Sequence, residues 1–335
     1  MTSGPTSGWA VVDGRFATDC RDIVSDPEAL DSAGFWVVVQ TFEGALTCVR
    51  MDTVRPLGNW YAGAPRWQMP ARAGWHSSLD ADAYRAGVAA IRERIAAGDV
   101  YQTNLCRVLS TPYDEAPDLR SLGGALARGN PAPLAATVCV PQAGLHVASA
   151  SPELFLQRDR DVVSSGPIKG TGRTASDLTD KDAAENVMIV DLVRNDLSRV
   201  AVPGSVAVPS LLRVEPHPGL VHLVSTVTAR LEPGRRWADL LAAAAPAGSV
   251  TGAPKSSALR IIGELEPTPR GVYCGAVGWV DADRSRGRLA VAIRTFAWSD
   301  GRLQLGTGAG ITWGSDPQQE WDETELKVSR LLEVS

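Results

Sequence analysis

Lys169 lies in a sequence context in which its amine could act as a nucleophile. It is part of the segment VSSGPIKGTGRT (residues 163–174), next to apolar residues and close to glycines on both sides. A lysine in a surface turn needs no special explanation. An amine held in a desolvated pocket beside another cation, however, can lose its proton near neutral pH and act as a nucleophile. The role of Lys169 therefore depends on which residues the fold brings to face it.

Two pairs of carboxylates lie at predicted helix starts. Asp182 and Glu185 are three residues apart in one predicted helix, and Glu320 and Glu323 have the same spacing in another. Residues three apart share a helix face, and the positive end of the helix dipole stabilises carboxylates there. If the two helix starts meet, up to four carboxylates converge and favour a hard cation such as Mg²⁺. Helix capping remains the simpler explanation of each pair taken alone.

Other polar residues each allow two interpretations. The glycine-rich segments 247–255 and 306–310 could bind an anion through backbone N–H groups or could form simple tight turns. Arg294, on a predicted strand, could bind a substrate carboxylate or form a salt bridge in the core. His222, in an apolar segment, could be functional or a satisfied core residue.

The composition excludes several classes of protein. The 335 residues are 44% hydrophobic, which is enough for one large domain or two ordinary ones. A net charge of −5 and the absence of basic runs argue against binding to nucleic acid or anionic membranes. The five cysteines form no CxxC pair, and the polar N-terminus is no signal peptide. We therefore expect a soluble, cytoplasmic globular protein, a class in which enzymes are common.

The elements that position these residues are strands in runs, with helices between them. Helices are predicted over 79–98, 179–197 and 253–265 and from Ser315 onward, with Thr179 as an N-cap and Pro254 at a first helical position. Strands are predicted over 35–42, 145–157, 162–169, 273–280, 289–298 and 303–311, with a hairpin at 299–302. Because strict β–α alternation is absent, we predict an α+β fold with antiparallel sheets.

Nine segments carry a resemblance to known proteins: GDVYQTNL (98–105), SPELF (151–155), GPIKGT (166–171), AENVMIVDLVRNDL (184–197), GSVTGAPK (248–255), RGVYCGAVG (270–278), AIRT (292–295), GAGITWGSD (308–316) and ETELK (323–327). Together they resemble the chorismate-utilising enzymes. This family includes the component I chains of anthranilate and aminodeoxychorismate synthases and the isochorismate and salicylate synthases. The resemblance covers roughly residues 76–333. It implies large antiparallel β-sheets forming a sandwich flanked by helices. It also implies a catalytic domain over 76–335, with residues 1–75 as a short β-rich segment packed on it.

Two positions select a branch of this family. Family members that add water to chorismate carry a lysine where this chain has Gln102, and glutamine cannot act as a base. The anthranilate synthases carry a small residue where this chain has Lys169, whereas the aminodeoxychorismate synthases that resemble it carry lysine. The resemblance therefore implies amination of chorismate at C4, for 4-aminobenzoate and folate synthesis.

The resemblance also implies a mechanism. Mg²⁺ binds the ring carboxylate of chorismate and is held by Glu185 and Glu323, with Asp182 and Glu320 nearby. Lys169 adds at C2 as the 4-hydroxyl leaves, and ammonia adds at C4 as the lysine departs.

Further site residues follow from the same resemblance. The acid that assists loss of the hydroxyl is expected near Lys255 and the loop from Ser249 to Thr251, and Glu153 matches a pocket residue beside the lysine. The substrate-binding residues implied are Gln102, His222, Ser249, Thr251, Tyr273, Arg294, Gly308, Gly310 and Lys327.

The chain carries no recognisable glutaminase segment. We therefore expect ammonia to come from solution or from a separate glutamine amidotransferase subunit. Two alternatives remain open: an anthranilate synthase component I or another enzyme that makes the 2-amino isomer, and a non-catalytic chorismate-binding subunit.

Overall fold

The computed structural model describes residues 8–172, 174–217 and 220–334. The helices of this part of the chain are α1 (Ala81–Ala96), α2 (Leu119–Gly129), α3 (Asp180–Ser198), α4 (Trp237–Ala244), α5 (Lys255–Leu265) and α6 (Pro317–Leu332). None of these helices combines the length and apolar character that a membrane crossing requires.

Strands make up most of the remaining regular structure. The first nine are β1 (Trp9–Val12), β2 (Arg15–Val24), β3 (Phe35–Gln40), β4 (Leu46–Pro56), β5 (His76–Ser77), β6 (Gln102–Pro112), β7 (Leu134–Val140), β8 (Leu145–Ser151) and β9 (Leu154–Asp159). The others are β10 (Val162–Gly166), β11 (Ile168–Gly172), β12 (Ala207–His217), β13 (Leu220–Arg230), β14 (Gly252–Ala253), β15 (Ala276–Asp281), β16 (Arg286–Val291), β17 (Thr295–Ser299) and β18 (Arg302–Ile311).

The strands pair into one continuous antiparallel sheet. Across the sheet they run in the order β6, β18, β17, β8, β7, β1, β2, β4, β3, β15, β16, β9, β10, β13 and β12, with β5 and β14 also paired to β6 and β11 paired to β13. Each pairing of the named strands in the described residues is antiparallel. The predicted α+β class with a large antiparallel sheet is confirmed.

The N-terminal strands lie in the middle of this order rather than at an edge. β1 pairs with β7, and β3 pairs with β15, so strands β1 to β4 join the two halves of the sheet. All six residues of β3 are buried, as its continuous apolar run predicts for a strand covered on both faces.

The sheet curls so that one face encloses its own core. Val277 of β15 and Val138 of β7 belong to the same buried hydrophobic cluster although several strands separate them in the sheet. A second cluster lies under α3 and α4, and others lie under α2 with α6 and under α1 with α5. The helices therefore cover the apolar surface that the curled sheet leaves on its outside.

Local sequence signals predict most helix starts. Thr179 is the N-cap of α3 and forms a capping box with Asp182, as predicted. Asp316 caps α6, and Pro317 is its first residue. The predicted position of Pro254 is wrong by one residue, because α5 begins at Lys255 and Pro254 is its N-cap residue.

Two predicted long strands are each broken where the chain changes partners. The predicted strand 145–157 is β8 and β9, which pair with different strands on either side of Glu153. The predicted strand 289–298 is β16 and β17, with Arg294 between them at a φ of 53°. Arg294 is therefore not a strand residue. The strand predicted over 303–311 is confirmed as β18, so the glycine-rich segment 306–310 is part of a strand and not the tight turn considered for it.

We predict that Gly278→Ala destabilises the protein by at least about 3 kcal/mol, since overpacking forces the backbone to move. A Cβ atom at Gly278 would lie 2.0 Å from the carbonyl oxygen of Arg288 on the paired strand β16. Gly263→Ala on α5 is the control, because a Cβ atom there would meet nothing within 4 Å. Helix propensity predicts a gain of up to about 1 kcal/mol for the control. Chemical denaturation measures both, and equal stability of the two variants would contradict the packing at β15.

Candidate active site

The side chain of Lys169 lies between the two ends of the curled sheet. Lys169 is on β11, and its Nζ donates a hydrogen bond of 3.4 Å to the carbonyl oxygen of Ser249. On the opposite side, a Cβ atom at Gly310 of β18 would lie 3.1 Å from Nζ. The absence of a side chain at Gly310 therefore leaves room for the amine to reach this space.

Glu153 is a buried carboxyl group beside this amine. It is 4% exposed and lies in the break between β8 and β9. Burial raises its pKa to about 6, although the nearby charges of the Lys169 ammonium and the Arg294 guanidinium oppose the rise. A carboxyl group with such a pKa can donate or accept a proton near neutral pH.

A chain of hydrogen bonds sets the orientation of Gln102. The carbonyl oxygen of Ser249 can only accept, and the amide Nδ2 of Asn104 donates to it over 3.2 Å. The Oδ1 atom of Asn104 is thus turned towards Gln102 and accepts from its Nε2 over 3.3 Å. The Oε1 atom of Gln102 is therefore left as an acceptor. A Cβ atom at Gly310 would lie 2.2 Å from Gln102 Nε2, so this glycine is also needed for the glutamine to fit.

Three buried polar atoms around Lys169 have no hydrogen-bond partner in the described residues. They are Gln102 Oε1, Glu153 Oε1 and Ser249 Oγ. Because buried polar atoms in native proteins are nearly always satisfied, such a group of orphan atoms indicates a place for a polar ligand.

Arg294 provides a positive charge near this place. Its pKa is lowered by burial and by the nearby charge of Arg330, while Glu153 opposes the shift. No ion pair holds Arg294 among the residues that the structure describes. The core salt bridge considered from the sequence is thus absent in this part of the chain, and the guanidinium is available to a ligand carboxylate.

The two acidic helix starts approach each other. Lys181 Nζ lies 3.7 Å from Glu185 Oε1 on α3 and 3.6 Å from Glu320 Oε1 on α6. Burial raises the pKa of Glu185, and the nearby ammonium groups of Lys169 and Lys181 oppose this effect. Glu323 forms an ion pair of 2.7 Å with Lys327 one turn further along α6. Asp182, in contrast to these glutamates, is part of the helix cap, because its carboxylate accepts hydrogen bonds from the backbone N–H and the hydroxyl of Thr179.

The donor chemistry of this cluster suits a hard divalent cation. Glu185 and Glu320 reach the same ammonium from two helices, and carboxylate oxygens are the ligands that Mg²⁺ prefers. The described side chains contain no ready-made group of three or more acidic, histidine or cysteine ligands. A metal ion here would therefore rely on few protein ligands and on water or substrate oxygens, which is common for Mg²⁺.

Four of the remaining predicted residues have the following surroundings. Lys327 Nζ donates to the carbonyl oxygen of Gly308 over 3.0 Å. The buried ring of Tyr273 lies directly against Gly306, where a Cβ atom would be 2.1 Å from it. The buried Thr251 hydroxyl donates to the carbonyl oxygen of Ala247 over 3.0 Å and so closes the turn that carries Ser249. His222 is buried on β13, the strand that pairs with β11.

Lys255 stands apart from this group. Its Nζ donates to Asp196 Oδ2 over 2.7 Å and to the carbonyl oxygen of Ala244 over 2.9 Å. The ammonium therefore joins the C-terminal ends of α3 and α4 to the start of α5. Burial raises the pKa of Asp196, and the Lys255 ammonium opposes this rise.

Sequence reasoning missed Asn104, Asp196 and Asn186. Asn186 donates to the carbonyl oxygen of Leu223 and accepts from the Ser225 hydroxyl, which anchors α3 to β13 next to Glu185. Asn104 could have been found, because it is two residues from Gln102 on a predicted strand and so shares its face. No comparable local signal points to Asp196 or Asn186.

Comparison with known proteins identifies what the chain is similar to. A family model described as chorismate binding enzyme matches residues 63–333. Aminodeoxychorismate synthase component 1 of Klebsiella aerogenes is 41% identical over 272 residues, which are 77% of this chain and 59% of that protein. Anthranilate synthase component 1 of Streptomyces coelicolor is 42% identical over 271 residues, which are 77% of this chain and 52% of that protein. The chain thus spans between half and two thirds of the length of these relatives.

Solved structures share the fold. Anthranilate synthase component I from Streptococcus pneumoniae has a TM-score of 0.78 at 24% identity, with 98% of this chain and 91% of that chain covered. The menaquinone-specific isochorismate synthase from Escherichia coli has a TM-score of 0.78 at 18% identity, with 98% and 88% covered.

We predict that Lys255→Met destabilises the protein by about 3–5 kcal/mol, because it leaves Asp196 as an unpaired buried charge. Lys255→Met combined with Asp196→Asn should recover part of this loss, since no unpaired charge remains. Arg260→Met is the control on the same helix, because its ion pair with Glu264 is exposed and should contribute less than about 1 kcal/mol. Urea denaturation measures all three, and a loss for Lys255→Met no larger than that of the control would contradict a structural role for the pair.

Proposed function

Because this chain belongs to the chorismate binding enzyme family, we propose that it converts chorismate and ammonia to 4-amino-4-deoxychorismate, with Mg²⁺ and a covalent adduct on Lys169. The printed names of the relatives do not select the reaction, since aminodeoxychorismate and anthranilate synthases match at nearly equal identity. The choice rests on the residues of the pocket.

The observation that carries the proposal is the position of the Lys169 amine. It projects from β11 towards the carbonyl oxygen of Ser249 and Gly310, in the region of the orphan atoms of Gln102, Glu153 and Ser249. A nucleophile placed there would attack the ring of a bound chorismate. Its bulk would also occupy the side from which ammonia must approach C2, and this disfavours formation of the 2-amino isomer.

Gln102 supports ammonia over activated water as the second nucleophile. An amide cannot remove a proton from water, so direct hydration of chorismate is disfavoured. The hydrogen bonds through Asn104 leave Gln102 Oε1 as an acceptor, and an acceptor at this point can orient an N–H group of ammonia.

Glu153 is the better candidate for the acid that protonates the leaving 4-hydroxyl. It is buried next to Lys169 and has a pKa of about 6, whereas the ammonium of Lys255 is engaged by Asp196 and the carbonyl of Ala244. In the proposed sequence, the Lys169 amine adds at C2 and the 4-hydroxyl leaves as water with the proton of Glu153. Ammonia then adds at C4, the lysine departs from C2, and the protons released return to Glu153 and solvent.

Charged groups would hold the two carboxylates of the substrate. The guanidinium of Arg294, which forms no ion pair with the described residues, would bind the enolpyruvyl carboxylate. Mg²⁺ would be held by Glu185 and Glu323, with Glu320 and Asp182 nearby, and its charge would neutralise the ring carboxylate. The ammonia would be supplied by a separate glutamine amidotransferase subunit, which agrees with the component 1 names of the relatives. The product would serve 4-aminobenzoate and folate synthesis.

We predict that the protein, given chorismate, Mg²⁺ and ammonium at mildly alkaline pH, forms 4-amino-4-deoxychorismate. An added lyase converts this product to 4-aminobenzoate for detection by chromatography. Lys169→Ala should lower the rate at least about a hundredfold, because the nucleophile is lost. Lys169→Arg is the matched control, since it keeps the charge without an amine of suitable reactivity and should lose as much.

The outcomes of this assay separate the alternatives. Anthranilate as the product would show that the branch was wrongly assigned. Wild-type rates in Lys169→Ala would overturn the covalent mechanism. Binding of chorismate without turnover, with ammonium or with an added glutaminase, would indicate a non-catalytic chorismate-binding subunit.

We predict a pH signature for Glu153. Its acidic form dominates below a pKa of about 6 and is lost above it. Groups other than Glu153 affect the wild type and Glu153→Gln alike, so the ratio of their kcat/KM values for chorismate, measured at a fixed concentration of unprotonated ammonia, isolates this acid. The ratio should be about 10²–10⁴ at low pH and should fall as the pH rises through about 6. A ratio near one at every pH would rule out Glu153 as the acid.

A further inference from the structure

We propose that Lys181 is an internal counter-ion that occupies the acidic cluster in the metal-free protein and is displaced when a divalent cation binds. The cluster comprises Asp182, Glu185, Glu320 and Glu323. The inference rests on the proposed function only for the identity of the cation, Mg²⁺.

Glu320 is a largely buried acidic residue with a single ion-pair partner among the described residues. Its side chain is only 6% exposed, although it carries a carboxylate. Among the described residues, Lys181 is the one cation within ion-pair distance of it. Burying an ionised carboxylate is costly unless an opposite charge compensates it, so the folded state depends on a cation at this point.

The other carboxylates of the cluster are less dependent on Lys181. Glu323 has its own partner in Lys327 at 2.7 Å. The carboxylate of Asp182 is satisfied by the N-cap of α3. Glu185 lies 3.7 Å from Lys181 and is also influenced by the charge of Lys169. Lys181 therefore serves mainly Glu185 and Glu320, and through them it joins the starts of α3 and α6.

The contacts of Lys181 are loose enough to be exchanged. Its distances of 3.6 and 3.7 Å exceed those of a direct charge-assisted hydrogen bond, and its side chain is 52% exposed. The Lys255–Asp196 ion pair differs in both respects, since its atoms are 2.7 Å apart and both side chains are largely buried. Because the ammonium itself is half exposed, it can return to water once an incoming cation compensates the buried carboxylate of Glu320.

A divalent ion and this ammonium cannot share the site. Glu185 is a ligand in the proposed metal site, and an ammonium 3.7 Å from its carboxylate would repel Mg²⁺ and compete for the same oxygen atoms. Lys181 should therefore swing into solvent when the metal binds. It would hold the two helix starts together in the metal-free state and would weaken the apparent affinity for the metal.

The test is the Mg²⁺ affinity of Lys181→Met, measured by isothermal titration calorimetry and by the change in Tm when Mg²⁺ is added. We expect the dissociation constant to fall about three- to tenfold, the Tm without metal to fall and the gain in Tm on adding Mg²⁺ to increase. Lys181→Arg keeps the charge and should bind Mg²⁺ as the wild type does. Arg194→Met is the matched control, since Arg194 lies on the same helix, is 51% exposed and pairs with Asp191 away from the cluster.

Two outcomes would overturn the proposal. An affinity of Lys181→Met equal to or weaker than that of the wild type would show that the ammonium does not compete with the metal. An increase of the same size in Arg194→Met would show that any removed charge has this effect.

Failure of the metal site itself is distinguishable. If Glu320→Gln and Glu185→Gln bind Mg²⁺ as tightly as the wild type, the metal lies elsewhere, and both the metal assignment and the counter-ion role fail. If these variants lose binding while Lys181→Met is unchanged, the counter-ion role alone fails. The product assay with chorismate and ammonium reports on the proposed reaction independently of either result.

Discussion

Backbone hydrogen bonding between antiparallel strands is the constraint on which the pocket depends. Each edge of a strand can form backbone hydrogen bonds with only one neighbour. A segment that runs from one half of the curled sheet to the other must therefore end its pairing with one strand before it pairs with the next. The segments β8–β9 and β16–β17 make this change side by side, and the N–H of Val291 bonds the carbonyl of Glu153 while the N–H of Ala150 bonds that of Arg294. Glu153 thus lies in the break between β8 and β9, and Arg294 lies in the break between β16 and β17. Neither break is occupied by strand pairing of its own.

Two kinds of ion pair serve two purposes around this opening. Lys255 and Asp196 are close and largely buried, and they hold three helices in a fixed relation. Lys181 is further from its two carboxylates and is more exposed than Lys255, which allows exchange. The difference lies in distance and desolvation rather than in residue type, because both are lysine–carboxylate contacts.

The sequence predicts those features of the fold that depend on neighbouring residues, such as helix starts and hairpin turns. Thr179 and Asp182 mark the start of α3, and the hairpin of β17 and β18 follows from the turn at residues 299–302. The position of Arg294 could not be predicted in this way, because the break depends on which distant strands pair with β16 and β17. The same is true of Asp196, whose partner is 59 residues away in the chain. The grouping of site residues came from resemblance to a family, and local patterns alone left each residue ambiguous.

The placement of β1 to β4 in the middle of the sheet has a consequence for how the chain folds. β3 ends at Gln40 and one of its two neighbours, β15, begins only at Ala276, while β6 ends at Pro112 and its neighbour β18 begins at Arg302. The contact order is therefore high, and a ribosome-bound chain exposes apolar strand edges until these distant partners emerge. Folding should therefore be slow, and the nascent chain is a natural client for chaperones that cover unpaired strands.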